Sequence, residues 1–190
     1  MNEKEELQIA AEITPNPSTL KFTLNRQLLE SGSKNYPNKY AAIDSPLAAQ
    51  LFDLGNVSGV MIGTDFVTVT KTQEADWQEA GPYVVKRLRE FFDSGAEIFA
   101  PGAAKADAAP AGEGRSEIEK KIIEILDTEV RPAVARDGGD IVFYGFDNGV
   151  VKLHLQGACS SCPSSIMTLK FGIENRLKQS IPEVKEVLQV

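Results

Sequence analysis

Cys159 and Cys162 are the only two cysteines in a chain of 190 residues. They lie in the run Leu153-His154-Leu155-Gln156-Gly157-Ala158-Cys159-Ser160-Ser161-Cys162-Pro163-Ser164-Ser165. Thiolates are soft ligands that select zinc, copper(I) or iron–sulfur centres over hard cations. Zinc and the common iron–sulfur clusters want four protein ligands, and one chain supplies two thiolates. The only histidine, His154, is a poor third ligand, since it alternates with Leu153 and Leu155 and points away from their apolar face. The simplest route to four thiolates is two copies of the chain. Strand, C-x-x-C, helix is also the local order of a thioredoxin-like redox site, although Glu117 to Val190 is short for that fold. Zinc shared between two chains needs the same ligands. The plainest alternative is two unreactive core thiols, for which a Gly- and Ser-rich loop is a poor setting.

The elements around the pair favour an anionic centre. Pro163 suits the first position of a helix, and Ile166, Leu169, Ile173 and Leu177 recur at helical spacing. Cys162 is therefore expected at a helix N-terminus, where the macrodipole and unpaired N–H groups stabilise a thiolate. Gly157 lets the backbone approach closely. Upstream, Ser116 and Glu119 form a capping-box pattern. Ile118, Ile122, Ile125, Leu126, Val130 and Val134 continue it as a helix whose last turns Pro132 should kink or tighten. Ile141–Phe146 and Val150–Gln156 alternate around Asp147-Asn148-Gly149, a hairpin signal. Pro182 ends the last helix, and Val184–Val190 is the candidate for a final strand. Gly138-Gly139 reads first as a chain reversal needing positive φ, with a direct role beside a thiolate-bound cluster as the alternative if the reversal folds back over the cysteine loop. Asp137 and Asp140 fall far short of a calcium loop.

The first half reads as two hairpins and two helices. Leu7–Ile13 and Leu20–Leu24 flank the turn Thr14–Ser18, and Leu28–Ala42 is expected to be irregular. Ser45-Pro46 starts a helix that Gly55 stops. Val57–Ile62 and Phe66–Thr70 form the second hairpin. A helix is expected from Pro82 to Phe92, with an extra turn over Asp76–Ala80 in which Trp77 packs onto the sheet. From Glu97 to Arg115, Ala, Gly and Pro dominate, the composition of a flexible linker. The expected class is α+β, with two small domains over 1–95 and 116–190 and a linker over 96–115. The second domain runs in the order α-β-β-α plus the final strand.

A formal net charge of −7 without a basic block leaves no electrostatic footprint for nucleic acid. No apolar run approaches a membrane span. The start, Met1-Asn2-Glu3-Lys4-Glu5-Glu6, resembles neither a secretory signal nor an Arg-rich transit peptide. Two cysteines at this spacing do not make a disulfide framework. These features lead us to expect a cytosolic chain.

The ordered motifs resemble the Nfu family of iron–sulfur cluster carriers. In the second half these are Val130-Arg131-Pro132-Ala133, Asp137-Gly138-Gly139-Asp140, Gly149-Val150-Val151-Lys152-Leu153, the cysteine run, and Ile181-Pro182-Glu183-Val184. In the first half, Thr14-Pro15-Asn16-Pro17, Leu20-Lys21-Phe22, Ser45-Pro46-Leu47-Ala48, Val57-Ser58-Gly59-Val60 and Asp65-Phe66-Val67-Thr68-Val69-Thr70-Lys71 are similar to the family's N-terminal domain. The resemblance implies a non-enzymatic homodimer, or transient dimer, with a [4Fe–4S] cluster bridged by Cys159 and Cys162 of each chain. It also implies upstream assembly proteins as donors and apo-proteins as recipients, and a bacterial cytoplasm, or the mitochondrial matrix, where the family also occurs, if this is a processed form. The first half has no cysteine, unlike the scaffold domain of complete NifU proteins, which favours a carrier over a primary assembly site.

Overall fold

A computed structural model describes residues 6–105, 115–160 and 163–190. They form two compact bodies, and the class is α+β. In the first body, β1 (Ile9–Ile13) and β2 (Thr19–Leu24) make the expected hairpin. β3 (Lys34–Tyr36) lies inside the stretch expected to be irregular, and a 3₁₀ segment over Lys39–Asp44 starts in it and runs past Ala42. Three residues carry no readable period, and burial of Tyr36 against the sheet fixes this strand instead. α1 (Pro46–Phe52) starts as expected, with Ser45 Oγ accepting the Ala48 N–H at 3.2 Å. β4 (Val57–Ile62) and β5 (Phe66–Lys71) form the second hairpin, and α2 (Trp77–Asp93) follows. The five strands are antiparallel in the order β1-β2-β5-β4-β3.

α2 is one continuous helix, not a short turn followed by a helix beginning at Pro82. Pro82 removes the hydrogen bond to the Gln78 carbonyl, but both residues lie on the exposed side, where water can replace it. The opposite face buries Val84, Leu88 and Phe91 in a core with Phe22, Leu47, Leu51, Ile62 and Val69. Trp77 packs edge-to-face on Phe22, and its indole N–H donates to the Pro17 carbonyl at 3.2 Å.

This body extends beyond residue 95, into the stretch expected to be linker. Phe99 is only 7% exposed. The Ala100 N–H donates to the Asp44 carbonyl at 2.8 Å, and Ser45 Oγ donates to the Ile98 carbonyl at 2.8 Å. Lys34 Nζ reaches both Asp44 Oδ2 (2.5 Å) and the Ala103 carbonyl (2.7 Å). A single Phe in an Ala- and Gly-rich run is enough to anchor it. The remainder of the expected linker over 106–114 lies outside the described residues.

The second body comprises α3 (Glu117–Ile125), a π turn (Leu126–Val130), α4 (Arg131–Arg136), β6 (Gly139–Asp147), β7 (Val150–Gly157), α5 (Pro163–Ser180) and β8 (Glu186–Gln189). The π turn takes up the constraint of Pro132, which becomes the second residue of α4 instead of a mid-helix break. β6 and β7 form an antiparallel hairpin, and β8 adds parallel to β7. The tight turn between them uses Asn148 (φ 51°) and Gly149 (φ 90°), the two left-handed residues that a type I′ turn requires. Ile122, Leu126 and Val134 pack with Ile141, Leu153, Leu155, Ile173, Leu177 and Val187 in a single core.

Candidate functional site

The site is built where β7 ends. Gly157 adopts φ 63°, and its carbonyl accepts both the N–H (3.2 Å) and the Oγ–H (2.8 Å) of Ser160. This tight turn carries Ala158 and Cys159 back against the sheet. Cys159 is 7% exposed and joins the core of the second body. Cys162 lies outside the described residues, and α5 begins at the next position, Pro163.

The Gly138-Gly139 reversal borders this turn. Gly138 has φ 75°, which a side chain would strain. Its carbonyl accepts the Ala158 N–H at 3.0 Å. Gly139 is in register with Gly157 across the hairpin. A Cβ on Gly139 would lie 2.4 Å from Cys159 Sγ, 3.0 Å from Cys159 Cβ and 3.1 Å from the Gln156 carbonyl. The Cys159 sulfur thus occupies space that any other residue at 139 would fill.

A buried polar cluster holds the reversal in place. Asp140 (4% exposed) pairs in register with buried Gln156, and Asp140 Oδ1 accepts its neighbour's Ile141 N–H at 2.7 Å. Arg131 Nε stands 3.0 Å from Asp140 Oδ1 as an ion pair, too oblique for a hydrogen bond. Its Nη2 donates to the Ile141 carbonyl at 2.7 Å, and its Nη1 pairs with Asp127 at 3.1 Å. Arg131 therefore ties the π turn to the strand that carries Gly139. Nothing local in the sequence reveals this role; the only signal is that Arg131 and Asp140 belong to the same ordered set of motifs as the cysteines.

His154 stays on the other face of β7 from buried Leu153 and Leu155. Its Nδ1 is 2.6 Å from the Val190 carbonyl, and its ring leans on Tyr144. Among the described residues no group of three or more His, Cys, Asp or Glu side chains could hold a metal ion. No helix among them is long and apolar enough to cross a membrane. A soft thiolate and a Gly-lined turn suit an iron–sulfur or zinc centre better than a hard cation.

Residues 122–188 match the family profile described as NifU-like domain, and residues 9–95 match that of the scaffold protein Nfu/NifU N terminal. A human protein named NFU1 iron-sulfur cluster scaffold homolog, mitochondrial, is 44% identical over 96% of this chain and 71% of its own length. NifU-like protein 4, mitochondrial, from Arabidopsis thaliana is 45% identical over 95% of this chain and 65% of its own length. This chain therefore spans roughly two thirds of those relatives. The solution structure of a NifU-like protein from Saccharomyces cerevisiae aligns with a TM-score of 0.45 at 28% identity, covering 52% of this chain and 89% of that one.

Proposed function

The chain belongs to the Nfu/NifU scaffold family, and from that premise we propose that it is an iron–sulfur cluster carrier. Its cargo is a [4Fe–4S] cluster bridged between two copies, with Cys159 and Cys162 of each copy as the four thiolate ligands. It receives the cluster from upstream assembly proteins and passes it to apo-proteins. It acts by ligand exchange and not as an enzyme. The observation that carries this reading is the position of Cys159. It lies on a glycine-built turn between β7 and α5, inside the NifU-like match. The printed names of the relatives, which call them cluster scaffolds, support it.

The division of labour belongs to the same proposal. Cluster binding resides in 116–190. The cysteine-free domain over 1–95, enlarged by the residues that pack on it up to Ala103, selects partners, and the rest of the stretch to residue 115 provides reach. The compartment is one that keeps thiols reduced. That is the bacterial cytoplasm expected from the sequence, or the mitochondrial matrix to which the relatives' names point.

Transfer is the direct test. Anaerobically reconstituted chain is mixed with an apo-acceptor that offers four cysteines, and visible circular dichroism follows the cluster. The acceptor's spectrum should appear while this chain's is lost, and Cys159→Ser should deliver nothing. Reduction of a disulfide substrate by a monomer would reassign the chain to thiol exchange. A colourless dimer dissociated by chelator would reassign it to a zinc-bridged interaction module.

A further inference from the structure

We infer that the free edge of β1 and the groove beside it dock an extended segment of another protein, one with two large apolar residues at alternate positions and an acidic residue after them. β1 is an end strand of its sheet. The Asn25 N–H donates to the Gln8 carbonyl, which sets the alternation along the pair. Ala10 and Glu12 therefore bond to β2, and the N–H and C=O groups of Ile9, Ala11 and Ile13 point off the sheet. Native edges are usually blunted by lysine, proline or a bulge. The run Ile-Ala-Ala-Glu-Ile has none of these. Its one charge, Glu12, pairs with Lys21 at 3.7 Å on the face away from α2.

The side-chain face of this edge is also unfinished. Ile9, Ala11 and Ile13 share a face with Leu24, Phe22 and Leu20. Phe22 and Leu24 are buried, whereas Ile13 on the same face is 91% exposed. A groove of about 720 Å³ runs between this face and α2, walled by Ala11, Leu20, Trp77, Pro82 and Val85. Its edge residue, Ala11, is small. A second copy of β1 centred on its own Ala11 would leave the groove unfilled, whereas large side chains at alternate positions of an added strand would fill it. The groove also has a polarity. At one end the Trp77 indole N–H donates to the Pro17 carbonyl, and at the other Arg89 Nη1 donates to the Leu7 carbonyl at 3.0 Å. Lys86 on the same rim pairs with Glu90 at 3.8 Å. Arg89 is exposed, and among the described residues no carboxylate, Asp93 included, lies within ion-pair distance of it. A strand added antiparallel to β1 passes from the Trp77 end to the Arg89 end. Its residues opposite Ile13 and Ala11 enter the apolar part. The residue opposite Ile9 comes beside the Arg89 guanidinium, which a carboxylate complements. This surface deepens the partner-selecting role proposed for the first domain, and it rests on that reading for the kind of protein that owns the segment.

The probe is a blocked synthetic peptide, Thr-Leu-Thr-Leu-Thr-Glu. Trp77, the only tryptophan, lines the groove and reports its occupancy. Titrated into the full chain, reduced and free of iron, the peptide should shift Trp77 emission saturably to the blue. Placing its two leucines side by side should abolish the shift, because neighbouring residues of a strand face opposite ways. Replacing its Glu by Gln, or Arg89→Ala in the protein, should each weaken binding by roughly fivefold, the scale of an exposed charge pair. The two changes together should weaken it no further than either alone. No saturable shift, an equal response to the rearranged peptide, or additive effects of the two changes would overturn the inference. A dimer of the iron-free chain that the peptide dissociates would give the edge to a second copy and overturn it as well. If Arg89→Ala does not fold, the peptide variants decide alone. No cluster takes part, so failure of the carrier reading shows separately, as protein that takes up no iron on reconstitution.

Discussion

Cys159 owes its place to glycines at the end of β7 and around the start of β6, and each does a different job. Gly157 turns the chain, Gly138 reverses it at φ 75°, and Gly139 leaves room for the sulfur. Gly138→Ala should therefore cost roughly 1–2 kcal/mol, the strain of a left-handed alanine, read as a lower urea midpoint with unchanged slope. Loss of either thiol is a different event. Cys159→Ala and Cys162→Ala should each reduce iron per chain to background after reconstitution. The cysteine pair was legible from spacing, because ligand spacing is local. The Gly139–Cys159 approach was legible only as an alternative, because hairpin register brings the two together and no window of sequence contains both.

At the scale of elements, α5 is the helix that follows the cysteine loop. Ile173 and Leu177 bury its inner face. Leu177→Ala should cost about 2–5 kcal/mol, as for other large-to-small core changes, measured by denaturant unfolding. Its outer contacts are ionic. Arg176 grips Glu129 through Nε (2.5 Å) and Nη2 (2.6 Å), tying α5 to the π turn. Glu174 accepts Lys178 Nζ at 2.5 Å and the Val187 N–H at 3.0 Å, tying α5 to β8. The Lys178 bond first, and the Val187 bond next, hold the Glu174 carboxyl below the usual glutamate value. A depressed folded value means the tie is fully present above the unfolded value of about 4.3 and is lost as pH falls through the lower folded one. Glu174→Gln should flatten this acid-side fall in melting temperature, whereas an unchanged profile would assign the fall to other carboxylates. Elements with long periods and caps were readable in advance, as with Ser45 on α1 and Ser116 on α3. β3 was not, being three residues held by burial of Tyr36. The unbroken α2 was not, because exposure of Pro82 and not its identity decided the outcome.

For the whole molecule, the proposed division predicts that residues 116–190 alone take up the cluster at the same iron per chain as the full protein. The fragment should lose speed only toward clients that the first domain recognises. The packed segment to Ala103 sets where such a cut is safe. Removing Phe99 and its neighbours would expose core, and would take the Ala103 carbonyl from Lys34 and the Ala100 N–H from the Asp44 carbonyl. Burial on its own would raise the Asp44 carboxyl, but bonds from Lys34 and Tyr36 more than offset it and hold it low. The composition of 96–115 could not reveal this, since one buried ring outweighs the many small residues around it. The central claim is that two chains share one cluster through four thiolates, and native mass after anaerobic reconstitution tests it most directly. A dimer carrying about four irons and four sulfides per two chains, absent in the Cys159→Ala and Cys162→Ala variants, is the expected result for four-thiolate ligation. A monomer that binds no iron and cycles a Cys159–Cys162 disulfide would contradict it.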